Sequence, residues 1–418
     1  MGDLIGLLGI VLLLGIAWLF SEHRRQVQWQ TLGVGLALQL ALAIFVLWVP
    51  FGKTVFETLG AGFVKLVGFT QAGSSFIFGD LANADEFGFI VAFQVLPTII
   101  FFASLMACLY HLGIMQKVVE LMARVMVRFM KVSGSESLAT AANCFVGQTE
   151  APLVVRPFIN GMTRSELFAL MTGGMATIAG GVLAAYVLLL GGTDPATQAF
   201  YAKHLISASI MAAPAALVVA KLILPEREPS ETMGLVKTTV KREHTNLIEA
   251  AAGGASEGLK LALNVGAMLL AFLALIALIN WPLGWLGEIS GLETLVGRPI
   301  ELALILGWIC APLAFIVGVP LEDAVTVGGL IGQKVVANEF VAYVALTDIQ
   351  DQLSDRAVLI STYALCGFAN FSSIAIQIGG IGSLAPERRP ELAQLGLKAI
   401  LGGTIVSLLN AAWAGILI

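Results

Sequence analysis

Over most of this chain the hydrophobic positions follow no amphipathic period. Runs of Leu, Ile, Val, Phe and Ala continue without a charge for longer than the core helix of a soluble domain needs. A helix of about 17–25 such residues crosses a bilayer. Eight runs approach or reach that length: 4–20, 32–50, 87–110, 167–190, 205–220, 261–281, 357–378 and 399–418. The first is expected to be a span rather than a cleaved leader. Its positive charges, Arg24 and Arg25, follow the apolar run, where a leader would carry them ahead of it.

Two further segments do show a helical period. In 115–131 the charges Lys117, Glu120, Arg124, Arg128 and Lys131 recur every three or four residues and the rest is apolar. This predicts an amphipathic helix lying on the membrane surface. Segment 51–69 reads similarly but more weakly, with Phe56, Leu59, Phe63 and Leu66 set against Lys53, Glu57 and Lys65.

A third pattern carries more information. Segments 137–147 and 151–159 are apolar, yet each is too short to cross. Helical arms of about 16 Å cover roughly half of the hydrocarbon layer. Basic residues flank both ends of the pair, so a re-entrant hairpin over 135–160 is expected. Gly147 and Pro152 frame its polar tip. A second hairpin, over 321–348, is expected from the opposite side, with its tip at 338–340.

Composition supports the membrane class. Of 418 residues, 58% are hydrophobic and 12% charged, against about 25% charged in soluble domains. The net charge of −5 is spread over short loops, and no basic cluster is large enough for nucleic acid. Lys and Arg collect after the first, third, fifth and seventh runs, which places those gaps in the cytoplasm. The N-terminus of this multi-pass chain is then expected outside. Segment 225–257 is polar and reads as a solvated cytoplasmic connector. The resulting divisions are 1–86, 87–223, a connector at 224–256, and 257–418.

The halves echo one another. Gly174-Met175-Ala176-Thr177 after the first hairpin matches Gly367-Phe368-Ala369-Asn370 after the second. With opposite orientations this is an inverted repeat, the plan of secondary transporters with broken helices and a site at mid-depth. A carboxylate within a span is costly and marks function; Glu150 and Glu339 both sit at hairpin tips. Lys334 lies near the second tip, free either to reach for the interface or to pair with a carboxylate. Asn143, Gln148, Thr149, Thr177, Asn338, Asn370, Ser372 and Ser373 add neutral hydrogen-bonding groups. No arginine cluster accompanies them, which argues against a phosphate or dicarboxylate ligand. Two carboxylates among amides and hydroxyls suit a neutral polyhydroxylated or heterocyclic solute. Uncharged oxygens at a helix break suit a monovalent cation such as Na+ better than a divalent one. The four cysteines lie in apolar runs, the four histidines share no ligand spacing, and no nucleophile or phosphate-loop motif stands in a supporting context. An enzyme is not expected.

Gly-Gln-Thr-Glu-Ala-Pro at 147–152, GGMATIAGGVLAAY at 173–186, NEFVAY at 338–343 and CGFANFSSI at 366–374 occur in this order, and together resemble the concentrative nucleoside transporters. The resemblance runs from the third span to the C-terminus. It implies an all-α integral membrane protein with eight transmembrane helices, interfacial helices (a third near 301–318) and two opposed re-entrant hairpins. It also implies a homotrimer, an elevator-type movement, and cation-driven nucleoside symport. By motif, Gln148, Thr149 and Glu150 would hold the base, with Gly147 and Val182 close by. Glu339, Asn370 and Ser373 would meet the ribose, with Phe368 against the base. Sodium would take oxygens from Asn143, Val146, Thr177 and Ile178. A proton-coupled permease of the same fold is the alternative, with Glu150 as the proton carrier.

Overall fold

The computed structural model describes residues 2–234 and 244–418. Among them the chain is helical, and the only β-type pairing is one isolated bridge between Ser133 and Met233. The N-terminal part comprises α1 (Gly2–Leu19), α2 (Trp29–Leu47), α3 (Pro50–Phe78), the short α4 (Ala84–Phe87) and α5 (Val91–Gln94), α6 (Leu96–His111) and α7 (Ile114–Met130). Next come α8 (Gly134–Asn143), α9 (Ala151–Val154), α10 (Arg164–Ala176), α11 (Gly180–Gly191) and α12 (Pro195–Ile223). The remainder is α13 (Leu247–Ser290), α14 (Leu292–Val296), α15 (Leu302–Ile316), α16 (Leu321–Val336), α17 (Glu339–Ile349), α18 (Asp355–Leu365), α19 (Phe371–Leu384) and α20 (Arg389–Leu417).

Among the described residues six helices, counting continuous bent ones, are long and apolar enough to cross a membrane, or seven if Leu302–Ile316 and Leu321–Val336, bent by 117°, count as one span. The apolar stretches Leu4–Leu19 and Phe371–Leu384 are shorter. Segment 115–131 is amphipathic as expected. Its buried stripe is Met115, Val119, Ala123, Met126 and Met130, on the face opposite the charges.

Several boundaries differ from the expectation, each for a local reason. Segment 51–69 is part of one 29-residue helix, α3, opened by Pro50 and closed at Gly79 with φ of 60°. The third apolar run starts raggedly, because Gly88 at φ 76° interrupts it before α5 and α6. The connector ends earlier than its polarity suggested: Asn246 caps the Glu249 amide and α13 then runs 44 residues, past Pro282. Lys237, Lys241 and Arg242 of the expected basic loop lie outside the described residues.

The runs 167–190 and 357–378 are each two half-helices. α10 and α11 part at 177–179, and α18 and α19 part at 366–370. A smooth hydropathy run conceals such breaks, since the interrupting residues are themselves small or apolar. The return arm of the first hairpin is also not one helix. Pro152 and Pro157 reduce it to the single turn α9 and a 3-10 stretch, Arg156–Gly161. In the second hairpin the chain breaks at 337–338, so Glu339 and Phe340 belong to α17 rather than to the tip.

The nearly fully buried α12 and α20 form the centre. Gln39 of α2 donates to Asn410 (2.7 Å), Asn410 donates to the Ala208 carbonyl (3.0 Å), and Trp413 donates to Gln39 (3.2 Å). This closed polar cluster fixes α2, α12 and α20 in one register. A separate pair, α6 and α13, packs closely because Gly254 and Gly258 carry no Cβ. A Cβ there would stand 2.6 Å from Ala107 and 2.8 Å from Ala103.

The base of the first hairpin is pinned. Capping boxes Ser133/Glu136 and Thr163/Glu166 start α8 and α10. Lys221 joins Glu136 (2.8 Å), Glu226 (3.0 Å) and Ser165 (3.0 Å). The Gly134 amide donates to the Thr232 carbonyl, strapping the chain after α12 across the hairpin (2.9 Å). Arg388 holds the exit by donating to the carbonyls of Ile159, Asn160 and Met162.

Candidate functional site

The interruptions at 144–150, 177–179, 337–338 and 366–370 meet one another. The Phe368 amide donates to the Thr177 carbonyl across the two breaks (3.3 Å), and the Gly180 amide donates to Phe145 in the first tip (3.0 Å). Gly367 makes the contact possible. Its φ is 148°, and a Cβ would meet the Met175 carbonyl and Ser407 Oγ at 2.9 Å each.

A hydrogen-bonded chain crosses this meeting point. Glu339, the first residue of α17, accepts from Tyr186 Oη at 2.8 Å and from Asn370 Nδ2 at 2.9 Å. Asn370 caps α19, its Oδ1 accepting from the Ser373 amide (2.9 Å) and from Ser372 Oγ (2.7 Å). Ser373 Oγ accepts from Gln148 Nε2 of the first tip (3.0 Å). Gln148, Glu339, Asn370 and Ser373 are all buried. The positive ends of α17 and α19 face the Glu339 carboxylate, which offsets part of the cost of burying it. Asn338 caps α17 through the Val341 amide, so its role here is local.

Thr149 and Glu150 stand exposed at the first tip, outside this chain of bonds, and Gly147 is buried beneath them. The Gly147 carbonyl accepts from the amides of Glu150 (3.1 Å) and Ala151 (3.0 Å), which closes the turn. Phe368 is half-buried. Val182 is buried one helical turn before Tyr186, on the same face of α11. Lys334 does neither of the two things considered for it. It donates to the Ala364 carbonyl and to Ser407 Oγ.

The residues at the first break also leave oxygens without donors. Asn143 Nδ2 donates to Ala139 (3.1 Å), while its buried Oδ1 has no hydrogen-bond partner. Thr177 Oγ1 donates to the Gly173 carbonyl (3.0 Å), and a Cβ on Gly173 would stand 3.6 Å from Asn143 Nδ2, so α8 and α10 run close together here. The Val146 and Ile178 carbonyls accept no hydrogen bond among the described residues. A buried acceptor without a donor calls for a cation or water. Four uncharged oxygens fit a monovalent cation, and no group of three His, Cys, Asp or Glu side chains gathers among the described residues.

Sequence reasoning did not single out Tyr186, Gln377 or Ser407. Gln377 is fully buried and donates to the Met171 carbonyl (3.0 Å), with its own Oε1 unpartnered. A lone glutamine within an apolar run was a usable signal. A tyrosine or a serine in such a run was not, since packing explains either one equally well.

Comparison with known proteins gives this arrangement a family. Residues 204–415 match the profile of the "Na+ dependent nucleoside transporter C-terminus", 8–81 match the corresponding N-terminus, and 92–193 match a "nucleoside recognition" gate. The uncharacterized transporter YutK of Bacillus subtilis is 47% identical, over 100% of both chains. Sodium/nucleoside cotransporter 1 of Rattus norvegicus is 43% identical over 99% of this chain and 64% of its own length. The structure of CNTnw in an inward-facing substrate-bound state matches with TM-score 0.89 and 43% identity, covering 100% of this chain and 98% of that one. The chain therefore belongs to the Na+-dependent nucleoside transporter family: it is a nucleoside transporter and not an enzyme, and sodium is the co-transported ion that defines the family.

Proposed function

We propose that this protein is a Na+-coupled symporter that imports nucleosides, uridine among them, across the bacterial inner membrane. In this reading it has eight spans, a periplasmic N-terminus and two opposed re-entrant hairpins. It works as a homotrimer whose hairpin-bearing bodies move like elevators. The observation that carries the coupling is the double use of Thr177. Its carbonyl accepts from the Phe368 amide, and its hydroxyl donates to Gly173, the residue packed against Asn143. A cation held by Asn143, Val146, Thr177 and Ile178 would fix that break, and with it the position of Phe368 and Asn370.

The solute is then divided between the two repeats. Glu339, Asn370 and Ser373 accept and donate to the ribose hydroxyls, because a carboxylate can take two vicinal hydroxyls at once. Gln148, Thr149 and Glu150 present donors and acceptors to the base edge, with Gly147 and Val182 shaping the floor and Phe368 offering a flat face. Binding replaces the Gln148–Ser373 and Glu339–Asn370 bonds with bonds to solute, so little polar surface is left unpaired in either state.

Uptake of labelled uridine into proteoliposomes, with Na+ and H+ gradients imposed separately, tests the coupling. Accumulation is expected to follow the Na+ gradient. Accumulation that persists without Na+ and follows the H+ gradient would replace this reading with proton coupling through Glu150.

A further inference from the structure

In the second repeat two more half-helices end face to face, and a buried side-chain cation lies between them. Lys334 is in the last turn of α16 and is 1% exposed. Its ammonium donates to the Ala364 carbonyl in the last turn of α18 (2.9 Å) and to Ser407 Oγ (3.0 Å). Ser407 Oγ is in turn 3.0 Å from the Cys366 carbonyl at the break. No carboxylate oxygen is in salt-bridge contact with Lys334 among the described residues; Glu339 acts on it only from farther off. A buried ammonium without a counter-ion is costly, and helix carboxyl ends carry partial negative charge that offsets this cost.

The first repeat has the same construction with no side-chain cation. α8 ends at Asn143 and α10 at Ala176, and the residues proposed above for Na+ stand at those ends or within three residues beyond them in the chain. We propose that the Lys334 ammonium is a tethered cation that takes, in the second repeat, the place the transported ion takes in the first. It neutralises the ends of α16 and α18 permanently, so that each cycle needs one mobile cation. This positioning role rests on the ion site proposed for the first repeat.

The test uses the purified full-length protein in detergent and in proteoliposomes. Lys334→Ala is expected to melt at lower temperature and to lose uptake by about tenfold, the scale of leaving buried acceptors unpaired. Ethylammonium, which supplies the missing head group, should partly restore both. Lys334→Met fills the space without charge and should be impaired but not restored. Wild-type uptake should rise with Na+ at a Hill slope of about 1. An active, stable Lys334→Met, or a folded Lys334→Ala that the amine does not restore, would overturn the proposal. So would a wild-type slope near 2, a measurement that needs no variant to fold. An unchanged Na+ dependence in Asn143→Ala would instead remove the first-repeat ion site, while the amine result still decides what Lys334 does.

Discussion

At the scale of single residues, the two ends of the hydrogen-bonded chain make different demands. Glu339 is an acceptor facing two donors, Tyr186 Oη and Asn370 Nδ2. Glu339→Gln keeps the shape but turns an N–H toward one of them. It should raise KM about tenfold for every nucleoside alike, the usual scale for a lost charge-assisted bond. Gln148 donates to Ser373 of α19, and Gln148→Ala should alter the ranking of bases rather than lower all uptake. Competition with a nucleoside panel separates the two, and equal losses for all substrates in both variants would refute the division of labour. Gln148, Glu339 and Asn370 were legible because a polar group in an apolar run has to be explained. Their partners were not. Tyr186 belongs to an aromatic group with Phe340 (5.2 Å) and Tyr343 (4.4 Å), which on sequence alone looks like ordinary packing.

At the scale of elements, the site is a set of interruptions rather than a set of helices. The polar interruption between α8 and α9 was legible from the shortness of the flanking apolar segments and from Gly147 and Pro152. The breaks inside α10–α11 and α18–α19 were not, since hydropathy averages over them. Only paired glycines, 173–174 and 180–181, marked the first. The second depends on Gly367, whose φ of 148° and close approach to Met175 and Ser407 leave no room for a Cβ. Gly367→Ala should therefore destabilise the protein by about 1–3 kcal/mol and misplace Phe368 and Asn370. Thermal melting should fall and uptake should fall with it. A variant that melts lower but transports normally would show that the break tolerates displacement.

At the scale of the whole molecule, the chain is closed on itself far from the site. Trp48 donates to the Leu417 carbonyl at one face (2.7 Å). At the opposite ends of α1 and α12, Glu22 holds Lys398 (2.5 Å) and Arg164 (3.3 Å), and Glu226 holds Lys221. The Trp48 and Glu22 ties link the N-terminal part to α10 and α20, a closure that no local pattern could reveal because each of those pairs lies far apart in sequence, whereas Glu226–Lys221 closes the end of α12 locally. Burial alone would raise both carboxyls, but Lys398 with Arg164 holds Glu22 below its ordinary value, and Lys221 does the same for Glu226. A folded-state value below the unfolded one gives stability that is present above the ordinary carboxylate range and is lost as pH falls through the lowered values. The melting temperature should thus stay level from neutrality to about pH 5 and drop below about pH 4. In the double variant Glu22→Gln, Glu226→Gln the neutral-pH melting temperature should already be lower and the acid-side drop shallower. A wild-type melting temperature that rises on acidification would mean that these ion pairs do not stabilise the folded protein.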